Sequence, residues 1–292
     1  MKRFIITMQY NETWNMSIFL SHYSQYFKPE NIYIIDHGST DDFSGIYNTG
    51  VNKIAVPRDR LFSERSRKKL IKNLAAGLLE YYDYGVFVDS DELIYLGDLK
   101  DSDLDSSPVI FVAGFDVYYK ETPEALRVHG LFNVRMCKPS IFREVPDWGF
   151  GFHNCQYRPT ILTLPLAHTK YLFHEKSVER LRSRAASFNQ ICEIEKRNNI
   201  AYHWSQGEKA MAEFNEEVKK LEADSASVAK FEPIDVTSLS KLKLPKIHLN
   251  MRSELNEYSS FFPHYNVSKK IPNHPYPVIY DLTNFFPALQ YP

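Results

Sequence analysis

The sequence predicts an α/β chain built on a mostly parallel central sheet flanked by helices. Four short apolar runs, at residues 4–8, 31–36, 53–56 and 85–88, alternate with longer polar or amphipathic stretches. Parallel strands need crossover connections of that length, usually helical. Two of the runs stop at carboxylates, Asp36 and the group Asp89, Asp91 and Glu92. Open α/β sheets bind ligands outside the carboxyl ends of their strands, so chemistry is expected at those acids first.

Bulk composition narrows the classes. With 292 residues, 43% of them hydrophobic and 24% charged, the chain can bury a sizeable core in one large domain or a domain with an appendage. A formal net charge of −1 gives no basic excess, so no nucleic-acid partner is expected. The 3 cysteines, Cys137, Cys155 and Cys192, are odd in number and show no CxxC spacing, which fits free thiols in a reducing compartment. No run approaches the roughly 18 apolar residues of a membrane helix. A cytoplasmic protein is expected, with membrane contact limited to the periphery of the inner face.

Taken in order, residues 4–8 (FIITM) are β-branched and apolar and read as the first strand. Gln9-Tyr10-Asn11-Glu12 is a polar turn. Trp14, Ile18, Phe19, Tyr23 and Tyr26 then fall at helical spacing over residues 13–27, with Asn11 or Thr13 as N-cap. No GxGxxG follows the first strand, so a dinucleotide fingerprint is missing. The second strand ends at Asp36, ahead of the turn-forming His37-Gly38-Ser39-Thr40-Asp41-Asp42. An Asp there can accept from a nucleobase N–H or a ribose hydroxyl, or simply cap the turn. The third strand closes at Pro57. Ser63 is a good N-cap for a helix expected to run to about Tyr84 and to end at Gly85. Arg65, Lys68, Lys69 and Lys72 share one side of it, with Leu70, Ile71, Leu74 and Leu78 supplying an apolar one. The basic side, or Arg67 near the N-terminus, is a candidate contact for an anionic ligand; a solvated face is the plain alternative.

The fourth strand carries the acids. Carboxylates crowded at a strand end repel one another unless a cation neutralises them. They suit hard divalent ions such as Mn²⁺ or Mg²⁺, which also bind phosphates. A lone DxD is as well explained by an acidic turn, so the weight falls on Asp36 and Asp89–Glu92 lying at adjacent strand ends.

Beyond residue 108 the pattern changes. Short β-like runs at 109–112, 115–119, 131–136 and 160–164 predict a partly antiparallel extension of the sheet through residue 174. Its polar insert, residues 143–154, mixes Glu144, Asp147, Trp148 and His153. An aromatic beside a carboxylate suits a sugar pocket, where one stacks and the other takes a hydroxyl proton; a packed loop with Trp148 in the core is the other reading. His168 follows a strand and is a candidate metal or diphosphate contact. Residues 175–224 read as two helices, the first expected to reach about residue 199. Half of the 16 prolines lie between Pro233 and Pro292, so residues 225–292 are expected to form an extended, aromatic-rich arm on the body or on a second copy of the chain.

These pieces together resemble the family 2-like glycosyltransferases of the GT-A fold, especially bacterial members with a DxDE-type signature. The matching segments are YNE at residues 10–12, IIDHGSTDD at 34–42, similar to the family's VVDDGSTD, and VDSDEL at 88–93. The resemblance covers residues 1–120 well, 120–200 loosely and the tail not at all. It implies a glycosyltransferase domain over residues 1–200, with nucleotide-sugar binding in 1–107 and the acceptor side in 108–174. Asp36, with Gln9 and Tyr10, would line the base pocket; Asn11, Glu12 and Ser90 would complete the substrate surroundings, and Glu92 would either support the donor acids from behind or contact the acceptor. Asp89, Asp91 and His168 would hold Mn²⁺ or Mg²⁺ against the diphosphate, and Arg67 or Lys68 would add charge. Asp147, then Glu144 and His153, are the candidates for the base of an inverting transfer to a saccharide or lipid-linked saccharide. His37 replaces the second acid of the usual pair, and neither the family's Glu-Asp pair near a GG loop nor QxxRW is present. Missing QxxRW, with no spans, favours single additions. Competing classes are a catalytically silent nucleotide-sugar or glycan-binding module, a metal-dependent phosphatase, whose nucleophilic Asp should follow the first strand, and a nucleotidyltransferase, which wants a Gly-rich loop with Lys there.

Overall fold

A computed structural model of the chain describes residues 1–58, 63–123, 125–133, 136–159, 161–188, 208–223, 228–235 and 279–289. Its centre is β1 (Arg3–Gln9), flanked in parallel by β2 (Ile32–Asp36) and β4 (Tyr84–Phe87), with β3 (Asn52–Ala55) outside β2. Crossovers pass through α1 (Thr13–Tyr23), the short α2 (Ser44–Tyr47) and α3 (Glu64–Leu79). The predicted parallel half of the sheet is therefore present, strand for strand.

The other half is mostly antiparallel, as the change of pattern after residue 108 implied, although β10 (Pro165–His168) runs parallel to β6 (Val109–Glu121) and β11 (Val228–Lys230) parallel to β13 (Ile279–Asp281). After the short β5 (Glu92–Ile94) and α4 (Asp101–Ser106) come β6 (Val109–Glu121), β7 (Leu126–Phe132) and β8 (Lys138–Phe142). β8 pairs with both β4 and β6, and so joins the two halves. β9 (Ile161–Leu162) precedes β10 (Pro165–His168), which lies between β5 and β6. Two helices follow, α5 (His174–Phe188) and α6 (Lys209–Ala223), then β11 (Val228–Lys230), β12 (Ile234–Asp235) and β13 (Ile279–Asp281). Among the described residues the large sheet runs β11-β13-β7-β6-β8-β4-β1-β2-β3. The chain is thus mixed α/β, a large central sheet flanked by helices.

Several boundaries differ from the sequence expectation. α1 stops at Tyr23, because Lys28 must be extended (φ −68°, ψ 151°) ahead of Pro29 and only turns fit between. α3 stops at Leu79, and Gly85 is a strand residue, not a helix cap. A Cβ on Gly85 would lie 2.4 Å from Phe4 Cζ, so close packing against the neighbouring strand selects glycine there. The predicted Ser63 cap forms, its Oγ accepting from Ser66 N at 3.2 Å. The C-terminal arm lies largely outside the described residues; its described parts add β11 and β13 to the sheet edge, where Ile279 pairs with Leu131. The remainder of the helix expected to reach residue 199 also lies outside them. Among the described residues no helix is long and apolar enough to cross a membrane.

Candidate functional site

Two loops after β1 and β2 are stitched together. Asn11, in the left-handed region at φ 51°, accepts from Thr40 N at 2.8 Å and donates to Thr40 Oγ1 at 3.0 Å. Its backbone N–H donates to Ser39 Oγ. This holds β1's terminal Gln9 beside Asp36, its register partner. Asp36 accepts from Gln9 Nε2 (3.1 Å) and Ser39 N (3.0 Å) and pairs with the half-exposed Lys53 (3.1 Å). Burial opposes its ionisation, but the Ser39 hydrogen bonds and Lys53 hold its carboxyl below the usual range. Tyr47 receives a hydrogen bond from Gln9 and lies under Lys53, 4.3 Å from its Nζ. The result is an ionised acceptor rimmed by an amide, a hydroxyl and a phenol. Tyr10 stands nearby, its ring 3.7 Å from the Arg58 guanidinium.

At the end of β4 the backbone turns tightly: Glu92 N donates to Asp89 O, and Asp89 N to Glu92 Oε2 at 2.9 Å. β5 is pinned from α1, where Tyr23 OH bridges Glu92 O and Ile94 N. Asp89 is clamped by Arg67 from α3 and by Lys138 at 3.0 Å. Burial opposes ionisation of Asp89, yet Arg67 and then Lys138 drive its carboxyl well below the usual range. Lys138 arrives through strand register: Val86 pairs with Ile141, and three residues further along the antiparallel pair Lys138 comes beside Asp89. It also pairs with Glu92 Oε1 at 2.5 Å. Glu92 is 1% exposed, and burial raises its pKa despite Lys138. Glu92 thus shapes the turn under Asp89 and offers no surface to a substrate. Ser90 is buried in the same turn.

Asp91 has a different set of partners. Its Oδ2 lies 2.5 Å from Arg180 NH1 on α5 and 3.2 Å from His168 Nε2. β10 delivers His168 between β5 and β6, opposite Glu92 on one side and Asp116 on the other. His168 Nδ1 meets Asp116 Oδ1 at 2.7 Å, and Asn133 donates to the other Asp116 oxygen at 2.7 Å. Burial opposes protonation of His168, but Asp91 and Asp116 push its pKa up to about 9. Arg180 reaches back to Glu12 at 2.5 Å, and Arg184 lies 3.9 Å from the same Glu12 oxygen. Lys170 is pushed down to about 8 by burial and by Arg184.

Among the described residues no group of three or more His, Cys, Asp and Glu side chains is gathered to hold a metal by itself. The Asp91–His168 pair nevertheless has the form of half a site. A carboxylate on Nδ1 fixes the imidazole with Nε2 toward Asp91, the usual support for a metal-ligating histidine. Water or phosphate oxygens complete such sets for Mn²⁺ and Mg²⁺. An imidazole ligand suits Mn²⁺ better than Mg²⁺, which prefers oxygen. Asp89, with both oxygens engaged by Arg67 and Lys138, fits a supporting role.

The insert is only partly near these acids. Phe152, strained at φ 62°, packs on Phe87 (4.4 Å between ring centroids) and lies under Arg67 at 4.9 Å; Lys68 lies 5.3 Å from the Phe150 ring. His153 is the next residue in the chain. Trp148 is 1% exposed, with Phe87, Phe142 and Phe152 around it and its N–H donated to Pro139 O. Its ring is core and offers no face to a sugar, so the packed-loop reading of Trp148 stands. Asp147 is exposed and pairs with Lys72 at 2.9 Å. Lys72 is five residues beyond Arg67, about 7 Å further along α3 from the strand-end acids. Glu144 is exposed and accepts from Tyr157 OH at 2.8 Å. Sequence reasoning missed Lys138, Asp116 and the role of Arg180. Lys138 had a signal, a single cation heading an apolar strand.

A scan against models of protein families and a search of curated proteins find no match. Among solved structures, glucosyl-3-phosphoglycerate synthase from Mycobacterium tuberculosis in complex with Mn²⁺ and uridine-diphosphate-glucose is similar at 18% identity and a TM-score of 0.29, over 40% of this chain and 43% of that one. The same enzyme with Mn²⁺, uridine diphosphate and glucosyl-3-phosphoglycerate gives 18%, a TM-score of 0.29, and 40% and 44%. A mycobacterial protein gives 18%, 0.30, and 40% and 41%. The chain therefore spans less than half the length of these structures.

Proposed function

We propose that the chain is a non-processive glycosyltransferase of the GT-A type, moving a sugar from a nucleotide-sugar donor to a saccharide or lipid-linked saccharide. One observation carries this reading. A single sheet edge gathers an ionised Asp36 from β2, Asp89 and Asp91 from the end of β4, and a carboxylate-backed His168 from β10. Asp36, Gln9 and Tyr47 would bind the base or ribose, Lys53 giving way to the incoming N–H or hydroxyl. Asp91 and His168 would ligate the divalent ion, with Asp89 held as their neighbour by Arg67 and Lys138. Held by Asp91 and His168, a divalent ion would supply positive charge to the leaving diphosphate.

The other half of the reaction is an in-line attack. The acceptor hydroxyl bonds to the anomeric carbon as the bond to diphosphate oxygen breaks, and its proton passes to a base on the acceptor side. Asp147 is drawn toward Lys72, whereas His153 directly follows Phe152, whose ring lies under the Arg67 that pairs with Asp89. We therefore rank His153 ahead of Asp147 and Glu144. The test is to stabilise the protein with UDP-, GDP-, CMP- and dTDP-sugars in Mn²⁺, then assay transfer in the His153→Gln, Asp147→Asn and Glu144→Gln variants. Loss of transfer with donor binding intact in His153→Gln is expected. Full activity in that variant removes the assignment, and no stabilisation by any donor removes the function.

A further inference from the structure

The three cations on the Asp91 side of the site are unlike the pair on the Asp89 side. Arg67 and Lys138 rise from α3, a crossover helix of the parallel half, and from β8 within the sheet. Arg180 comes from α5, a helix that follows β10 in the chain and reaches back to the first crossover through Glu12. Its NH1 lies 2.5 Å from the same Asp91 Oδ2 that faces His168 Nε2 at 3.2 Å. An ion ligated by that oxygen and that imidazole needs bonds of about 2.0–2.2 Å to each, which is the space the guanidinium borders. A divalent ion set beside the guanidinium would also face like-charge repulsion at short range. Glu12 offers Arg180 a second carboxylate when it leaves Asp91, so displacement does not strand a buried charge.

We propose that Arg180 is the resident counter-ion of the donor site, seated on the Asp91 oxygen that a divalent ion takes, so that metal binding and this anchor of α5 exclude each other. The inference rests on the glycosyltransferase reading above and adds a residue to it. Once Asp91 ligates the ion, Arg180, Arg184 and Lys170 lose a carboxylate and face the site as surplus positive charge, a wall suited to the donor's diphosphate. Arg180 is thus a positioning residue in the free protein and a phosphate contact in the loaded one.

The experiment titrates Mn²⁺ into the full chain without nucleotide, following free Mn²⁺ by electron paramagnetic resonance, in wild type and Arg180→Met. The variant is expected to bind Mn²⁺ at least about fivefold more tightly, the low end of couplings between linked sites. At saturating Mn²⁺ it should bind the nucleotide-sugar more weakly than wild type, an opposite pair of shifts that general loosening of the site does not give. A second measurement needs no variant: Mn²⁺ alone should speed amide hydrogen exchange over residues 174–188 of wild type. Unchanged or weaker Mn²⁺ binding in Arg180→Met overturns the inference, as does unchanged or slower exchange in α5, which decides the matter should the variant not fold. If no nucleotide-sugar binds wild type at saturating Mn²⁺, the donor-site reading fails, whatever Arg180→Met does to the ion.

Discussion

Lys138→Met is the perturbation whose size the structure sets most directly. Lys138 has a side chain only 2% exposed and bridges Asp89 at 3.0 Å and Glu92 at 2.5 Å. Methionine fills much the same volume, so the loss is electrostatic: two carboxylates in one turn lose their shared cation. Breaking a buried pair by removing one partner typically destabilises by about 3–5 kcal/mol. With a urea slope of about 3 kcal/mol per molar, at the upper end for single domains, the midpoint should fall by about 1 M or more at pH 7. The sign with pH follows from Glu92, whose pKa burial already raises. A carboxyl with a raised folded-state pKa adds stability at low pH and loses it as pH rises through the folded value, and without Lys138 that value rises further. The deficit of the variant should therefore narrow toward pH 5, and Glu92→Gln added to Lys138→Met should recover part of it. A deficit below about 1 kcal/mol, or one unchanged by pH and by Glu92→Gln, refutes the electrostatic account of this turn.

Other outcomes follow from the same contacts. Trp148→Ala should destabilise by about 3–5 kcal/mol, as large-to-small core changes do, while the folded fraction binds donor like wild type; loss of donor binding at full folding would return Trp148 to the substrate site. His168, raised from 6.5 to about 9, contributes stability that is fully present below pH 6.5 and fades as pH rises to about 9. That contribution is about 3 kcal/mol at most. His22, lowered to about 4 by burial, acts in the opposite sense: its contribution is present above pH 6.5 and is lost as pH falls toward 4. Denaturation from pH 4 to 9 should show a maximum near pH 6–7, and His168→Gln should flatten the alkaline side alone; an unaltered alkaline slope in that variant would contradict the pairing.

Much of the strand-end cluster was legible because it depends on local pattern. The β1, β2 and β4 runs are apolar and end in polar residues, so Asp36 and Asp89 could be assigned to one edge of the sheet from the sequence, but the strands that carry them are not neighbours, because β1 lies between β2 and β4. His168 was also visible, since a histidine closing a strand is a local feature. What sequence did not reveal is who neutralises the acids. Lys138 reaches Asp89 only through the register of β4 with β8, and Arg180 reaches Asp91 across 89 positions of chain. Such pairings are non-local, and helical spacing alone gives Arg180 no partner on another element. Gly85 misled for a related reason: glycine ends helices, but here it makes room for Phe4 on the next strand. In the insert, an aromatic next to an acid is compatible with a pocket and with a core, and only the rings around Trp148 decide between them.

Nucleoside diphosphate release reports on whether Asp91 and His168 present a metal-dependent donor site. The purified chain, incubated with each nucleotide-sugar in turn, with and without Mn²⁺, is followed by phosphorus NMR. Release is expected from one donor class, dependent on Mn²⁺ and lost in both Asp91→Asn and His168→Gln while the variants stay folded. Release from no donor, or equal release in Asp91→Asn, would contradict it.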